Sequence, residues 1–249
     1  MKILKAAGIS DRGIVRENNE DSYLIHQEGP LSLFAVADGM GGHAAGEVAS
    51  SLALDMVRRY LADREEEIVC AAKQGKTLQP ILTEVLTRAN QDVLEAGNGN
   101  SQYNGMGTTV TLVLGVSGQF WLGHIGDSRA YCINEQEIRR LSVDHTLVSQ
   151  LIRSGQITEE DGENHPQRNI LTQALGTDEN PQFDIKQVEI MPGEILLLCS
   201  DGLYGLVNES ELFSAVHADE PLEDILRKLV VLANERGGTD NITAVVVQV

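Results

Sequence analysis

Acidic residues stand at the ends of several runs that read as β-strands. The apolar run 31–37 leads into Asp38-Gly39, and the run 195–199 leads into Ser200-Asp201-Gly202. Asp240-Asn241 precedes the closing run from Ile242, Glu20-Asp21 precedes the run 22–26, and Asp127 follows the run 120–125. Singly, an Asp-Gly pair reads as a turn. As a set they say more. In an antiparallel sheet the end of one strand lies beside the start of its neighbour, so all of these acids can gather on one rim. Three carboxylates about 6 Å apart, in an effective dielectric of about 20, repel by on the order of 8 kcal/mol. That rivals the roughly 5–15 kcal/mol that holds a whole domain together. Protonation through raised pKa values can offset it, and so can divalent cations. The donors are all oxygen, with no His or Cys among them, which points to Mg²⁺ or Mn²⁺ rather than zinc.

Two such ions about 3.5–4 Å apart can share a bridging water, make it a nucleophile near neutral pH, and neutralise an incoming phosphate. Arg16, four residues before Glu20, can supply the bidentate fork that a phosphate fits; from position alone it reads more readily as a solvated surface arginine.

The elements that must position these groups are readable from periodicity. Strands are expected near 5–10, 22–26, 31–37, 108–116, 119–125, 129–134, 194–199 and 242–249, rich in β-branched and aliphatic residues and broken by turns. Ser117-Gly118 fits a hairpin connection. A helix over 44–61 places Val48, Leu52, Met56 and Tyr60 on one face. Another over 80–96 has Pro80 in its first turn, a stripe of Ile81, Val85, Ala89 and Val93, and Gly97 as its C-terminal cap. Asn208 with Glu211 forms a capping-box pattern, and a further helix opens at Pro221. Residues 144–169 leave the sheet pattern: a short amphipathic helix ends at Gly155, and a polar, acidic stretch follows. This reads as an excursion that could serve as a mobile flap. Strands cluster between long helices without strict βαβ alternation, so the expected class is α+β, with antiparallel sheets packed face to face and helices outside.

The 249 residues carry a net charge of −18, which argues against nucleic acid or an anionic membrane surface as partner and favours basic peptides and cations. No secretion signal or membrane span is evident, and the three cysteines (Cys70, Cys132, Cys199) read as reduced core residues of a cytoplasmic protein. Gly75-Lys76-Thr77 looks like the end of a phosphate-binding loop, but Cys70 stands where that loop needs its first glycine.

Five motifs occur in order: Arg16-Glu-Asn-Asn-Glu20-Asp21, Val36-Ala-Asp38-Gly39-Met-Gly-Gly42, Gly126-Asp127-Ser-Arg129, Ser200-Asp201-Gly202 and Gly238-Thr-Asp240-Asn241-Ile-Thr243. Together they resemble the bacterial branch of the metal-dependent type 2C protein phosphatases, the PPM family, over essentially the whole chain. The resemblance implies a single domain over 1–249, a β-sandwich in α-β-β-α layers, and a flap at about 144–169 that includes His165-Pro166-Gln167-Arg168. It implies two Mn²⁺ or Mg²⁺ ions, with Asp38 bridging, the Gly39 carbonyl on one ion, and Asp201 and Asp240 completing the ligands. Glu20 would act through metal-bound water and Asp21 would orient the group. Arg16 would hold phosphate, and Asp127 with Asp201 would form a third, weaker site. The implied reaction is direct attack of a metal-bridging hydroxide on phosphoserine or phosphothreonine, with phosphorylated proteins as substrates, a cognate serine/threonine kinase as opponent, and a monomeric state. Met40 stands where relatives outside the bacterial branch often have a His proposed as general acid, and a thioether donates no proton. A metal-bound water or His43 remains for that role. A non-catalytic relative and a hydrolase of small phosphorylated metabolites are the competing functions.

Overall fold

The computed structural model describes residues 4–41, 44–163 and 165–249. Two antiparallel sheets form its centre. The first is built from β1 (Lys5–Asp11), β7 (Arg129–Ile133), β8 (Ile138–Arg140), β10 (Ile195–Cys199) and β11 (Ile242–Gln248), in the order β1-β11-β10-β7-β8. The second is built from β2 (Asp21–His26), β3 (Leu31–Met40), β5 (Val110–Val116), β6 (Gln119–Ile125) and β9 (Asp184–Val188), in the order β2-β3-β5-β6-β9, with β4 (Gly107–Thr108) beside the end of β3.

Strand periodicity divides the core into three layers. On β10, Leu196 and Leu198 face the other sheet, while Leu197 and Cys199 face helices. On β3, Phe34 and Val36 point between the sheets, while Leu33, Ala35 and Ala37 point outward to α1 (Ala44–Asp63), α2 (Glu65–Lys73) and α3 (Gln79–Gly99). The first sheet is covered by α6 (Asp201–Tyr204), α7 (Glu209–Val216) and α8 (Leu222–Glu235). This is the expected α-β-β-α sandwich. Each large aliphatic side chain fully buried in these layers stabilises the fold by roughly 1.5–3 kcal/mol.

Several local expectations hold. Ser117 (φ 51°) and Gly118 (φ 79°) turn β5 into β6, the left-handed pair that suits a tight hairpin. Asn208 and Glu211 close a full capping box on α7. The stripe Ile81, Val85, Ala89 and Val93 on α3 is buried, although the helix runs two residues past Gly97.

Others are corrected. On α1 the face against the sheet is Ala45, Ala49, Ala53, Val57 and Leu61, while Val48, Leu52, Met56 and Tyr60 are only partly buried beside it. Small alanines let the helix approach β3 closely, and the larger residues fill the flank, where the Tyr60 hydroxyl donates to Asp92 of α3 at 2.6 Å. The strand expected over 108–116 is broken at Thr109, whose N–H donates to the Asp38 carbonyl at 2.8 Å. β8 and β9, with mixed exposed patterns, left no alternation to read. Cys132 and Cys199 are buried, but Cys70 is exposed on α2.

Residues 144–169 carry α4 (Leu147–Arg153) and α5 (Glu159–Glu163). The root of this excursion is pinned. His145 N–H donates to Gly126 O at 2.8 Å, Thr172 N–H to His145 O at 2.8 Å, and Leu147 N–H to Ile170 O at 2.9 Å.

One buried amide links α3 to the site. Asn90 donates to Asp178 O and accepts from Gly176 N–H, both at 2.8 Å. The loop it holds exchanges backbone bonds between Leu175 and Thr108, and the Thr108 hydroxyl donates to Asp38 O at 2.9 Å. Asn90→Ala should lower the unfolding free energy by about 2 kcal/mol, because a buried donor and acceptor lose their partner. Urea denaturation checks this, and an unchanged midpoint would show that the Thr108–Leu175 bridge holds the loop alone.

Candidate metal centre

The acids meet at one end of the sandwich because each is fixed by its strand. β2 and β3 pair in a register that sets Asp21 opposite Asp38. Asp38 N–H donates to the Thr109 hydroxyl at 2.9 Å, so the residue is held by its backbone and its carboxyl is left for other work. Asp127 lies where the chain crosses from β6 in one sheet to β7 in the other, and the Tyr204 hydroxyl donates to its carbonyl at 3.1 Å. Asp201 follows β10 and opens α6, and Asp240 stands just before β11. Arg16 Nη2 donates to Asp240 Oδ2 at 2.6 Å across a sequence separation of 224. Glu20 is set beside them: its carbonyl accepts from Gly39 N–H at 3.1 Å and from the Ser50 hydroxyl at 2.6 Å.

The two Asp-Gly pairs are not turns. Asp38-Gly39 lies within β3, and a Cβ on Gly39 would collide with the backbone carbonyls of Gly46 and Glu20. A Cβ on Gly202 would collide with the carbonyl oxygen of Asn241. Both glycines let a neighbouring backbone pass close to an acid.

The electrostatics match the crowding. The Asp38 carboxyl is pushed well above the usual range by burial first and then by Asp21, Asp201, Asp127 and Asp240. Burial, with Asp201 and Asp144 behind it, raises Asp127 to about 8. Burial raises Asp21 to about 7 against the pull of hydrogen bonds from Ser200 and Thr243. Burial and Asp240 raise Asp201 to about 6, although Arg16 draws it down. For the cation Arg16 the sign of burial is reversed: it pulls the pKa down, and the bond to Asp240 with the charges of Asp240, Glu20 and Asp201 more than offsets this.

Two carboxylate oxygens in this group, Asp21 Oδ1 and Asp201 Oδ1, are buried without a hydrogen-bond partner. Such orphans are costly. All-oxygen donors, shared negative charge and unpartnered buried oxygens fit a hard divalent cation. Among the described residues, no three acidic, His or Cys side chains close tightly enough on one point to hold an ion as placed. The acids lie within electrostatic reach of one another as a loose ring, with Asp240 bonded to Arg16.

The residues that fasten this ring, Asn241 and Ser200, stand inside the sequence motifs, but nothing in the motifs assigns them that role. The Asn241 amide donates to Arg12 O at 2.8 Å and Asn18 O at 2.9 Å, and its oxygen accepts from Glu20 N–H at 2.8 Å. It thus grips both ends of the loop that carries Arg16. The Ser200 hydroxyl donates to Asp21 Oδ2 at 2.7 Å and accepts from Thr243 N–H at 3.0 Å. Their adjacency to Asp240 and Asp201 was the available signal. Met40 pairs with Gly107 and offers no proton. His43 lies outside the described residues.

In cation-free protein these shifts set the sign of the pH dependence. An unfolded Asp loses its proton near pH 4, while Asp201, Asp21 and Asp127 in the fold hold theirs to about 6, 7 and 8. The folded state therefore binds more protons across that window, and this part of its stability is full below pH 4 and lost as pH rises toward 8. With chelator present, the urea midpoint should fall between pH 5 and pH 8, and Mn²⁺ at pH 8 should restore it. A midpoint that climbs with pH under chelation would mean that the acids do not crowd one another.

Known proteins share this architecture. The protein phosphatase 2C family model matches residues 14–245. The serine/threonine phosphatase stp of Listeria monocytogenes is 35% identical over 240 residues, across 96% of this chain and 93% of that one. The crystal structure of the Mycobacterium tuberculosis serine/threonine phosphatase PstP/Ppp superposes with a TM-score of 0.86 at 36% identity, over 99% of this chain and 98% of that one. The catalytic domain of PstP, solved in complex with two manganese ions, gives a TM-score of 0.79 at 34% identity over 98% and 97% of the two chains. The chain belongs to the protein phosphatase 2C family of serine/threonine phosphatases.

Proposed function

We propose that this enzyme removes phosphate from phosphoserine and phosphothreonine on other proteins, by direct attack of an activated water on phosphorus. The observation that carries this reading is the mutual crowding of Asp38, Asp21, Asp127, Asp201 and Asp240 beside Arg16. Asp38, the Gly39 carbonyl, Asp201 and Asp240 would hold two Mn²⁺ or Mg²⁺ ions, and Asp127 with Asp201 a third and weaker one. When bound, these ions would activate water and neutralise phosphate charge.

The chain's own groups supply the rest. Arg16 presents a half-exposed guanidinium whose planar fork matches phosphate oxygens. Asp240 anchors it at Nη2, so it is already oriented before substrate arrives. Electrostatic stabilisation of the transferring group is where most of the catalysis in phosphoryl transfer lies. Asp21, fixed by Ser200, and Glu20, fixed through its backbone by Asn241, hold the ring in shape. A cysteinyl phosphoenzyme has no support here. Burial pushes the Cys132 and Cys199 thiols up to about 12, and Cys70 lines a separate pocket beside Pro30, Val69 and Lys73.

We infer that residues 1–249 work as one phosphatase domain with the 144–169 excursion as its flap. We further infer a monomer in the cytoplasm, opposing a serine/threonine kinase. Among the described residues no helix is long and apolar enough to cross a membrane, and the net charge of −18 disfavours nucleic acid and anionic lipid.

A phosphothreonine peptide assayed with Mn²⁺ tests the reading, with sugar phosphates as the comparison. Turnover should need the metal and favour the peptide; turnover that survives chelation would sink it. Asp201→Asn should cut kcat by at least about a hundredfold and weaken Mn²⁺ binding measured by calorimetry, while the fold persists. Arg16→Ala should act mainly by raising KM, and an unchanged KM would take Arg16 out of the site.

A further inference from the structure

Among the described residues, six large apolar side chains are exposed. Tyr23, Ile170, Met191 and Val231 are scattered over separate elements, as single surface apolars commonly are. Ile14 and Val15 differ: they are adjacent, each is 63% exposed, and they directly precede Arg16. Their loop is not slack. Ile14 N–H and Val15 N–H donate to the same Gly238 carbonyl at 3.0 and 3.3 Å. Gly13 takes a left-handed φ of 74° with its N–H on Asp11 Oδ1 at 2.9 Å. Asn241 clamps the carbonyls of Arg12 and Asn18 on either side. The backbone therefore holds two apolar side chains out to solvent on the loop that carries Arg16.

We propose that Ile14 and Val15 form a subsite for an apolar side chain flanking the phosphorylated residue of a substrate protein. This rests on the phosphoserine/phosphothreonine reading above and names what that site prefers beside the phosphate. Reach allows it: two residues of extended chain span about 7 Å. A peptide whose phosphate sits on Arg16 can therefore lay a side chain one or two positions away over this pair. The fixed loop favours it too, because little ordering is left for binding to impose. An acidic flanking residue is disfavoured by the exposed Glu17 that follows Arg16 and by the net charge of −18.

The test compares wild type with the double variant Ile14→Ser, Val15→Ser, in Mn²⁺. The substrates are a phosphothreonine peptide flanked by Leu, the same peptide flanked by Ser, and p-nitrophenyl phosphate, which has no flanking residue. Wild type should favour the Leu peptide over the Ser peptide by about tenfold in kcat/KM, chiefly through KM, and the variant should lose that preference. The variant should keep its rate on p-nitrophenyl phosphate within about twofold, since it lacks only apolar contacts to the peptide. An equal loss on all three substrates, or a preference that survives the substitutions, overturns the subsite. A dimer that the substitutions convert to monomer in sedimentation, with the preference intact, overturns it in favour of a contact between copies. A wild type that cleaves p-nitrophenyl phosphate but neither peptide overturns the phosphoprotein reading, and the subsite with it.

Discussion

The constraint behind the rest of this structure is repulsion among carboxylates that the fold forces together. Asp38 is raised by four other acids at once, and none of the four is near it in sequence except Asp21. Nothing in the hydrophobic core asks for this arrangement. The three apolar layers would pack as well with neutral residues at the sandwich end, and the acids there cost stability as pH rises. An electrostatic cost placed at the meeting edge of two sheets, with buried oxygens unpartnered, is how a site for positive charge is recognised.

The chain withstands that cost through backbone and hydroxyl contacts rather than through cations of its own. Asp38 is set by bonds between its main chain and Thr108 and Thr109, Asp21 by Ser200, and Glu20 by Asn241. Among the described residues, only Arg16 forms an ion pair with Asp240. Arg129, which follows Asp127 by two residues, is committed instead to a bidentate pair with Asp144 and lies 3.7 Å from the centre of the Tyr204 ring. Fixing acids by neutral contacts preserves their charge for a ligand, whereas pairing each with an arginine would spend it.

Much of this was legible in the residues. The strand ends that carry Asp38, Asp201 and Asp240 follow from apolar runs, and antiparallel pairing brings them to one rim. What escaped did so for physical reasons. The buried face of α1 is an alanine stripe, and periodicity weighted toward larger side chains selects the neighbouring stripe instead. β9 pairs with β6 through backbone bonds while showing an exposed face, so it has no alternation to detect. Cys70 sits on a helix whose buried residues are Ile68 and Ala72, and residue type alone misplaces it. The bonds of Asn241 to Glu20 and of Ser200 to Asp21 each span more than 170 residues, so local sequence shows these two residues only as neighbours of Asp240 and Asp201.

That distance has a thermodynamic consequence. Arg16 and Asp240 are 224 residues apart, and β1 pairs with β11 to close the first sheet. The complete ring therefore exists only when the chain's beginning and end have met. In the unfolded chain the same acids are scattered and bind divalent ions weakly. A ligand that binds only the folded form stabilises it by about 2.7 kcal/mol at a hundred times its dissociation constant. Two ions binding independently would supply roughly twice that, a sum of the same order as the repulsion among three crowded carboxylates. Folding and cation binding would thus be coupled by the same side chains: the sandwich creates the repulsion, and relief of that repulsion by cations would be available only to a chain that has completed the sandwich.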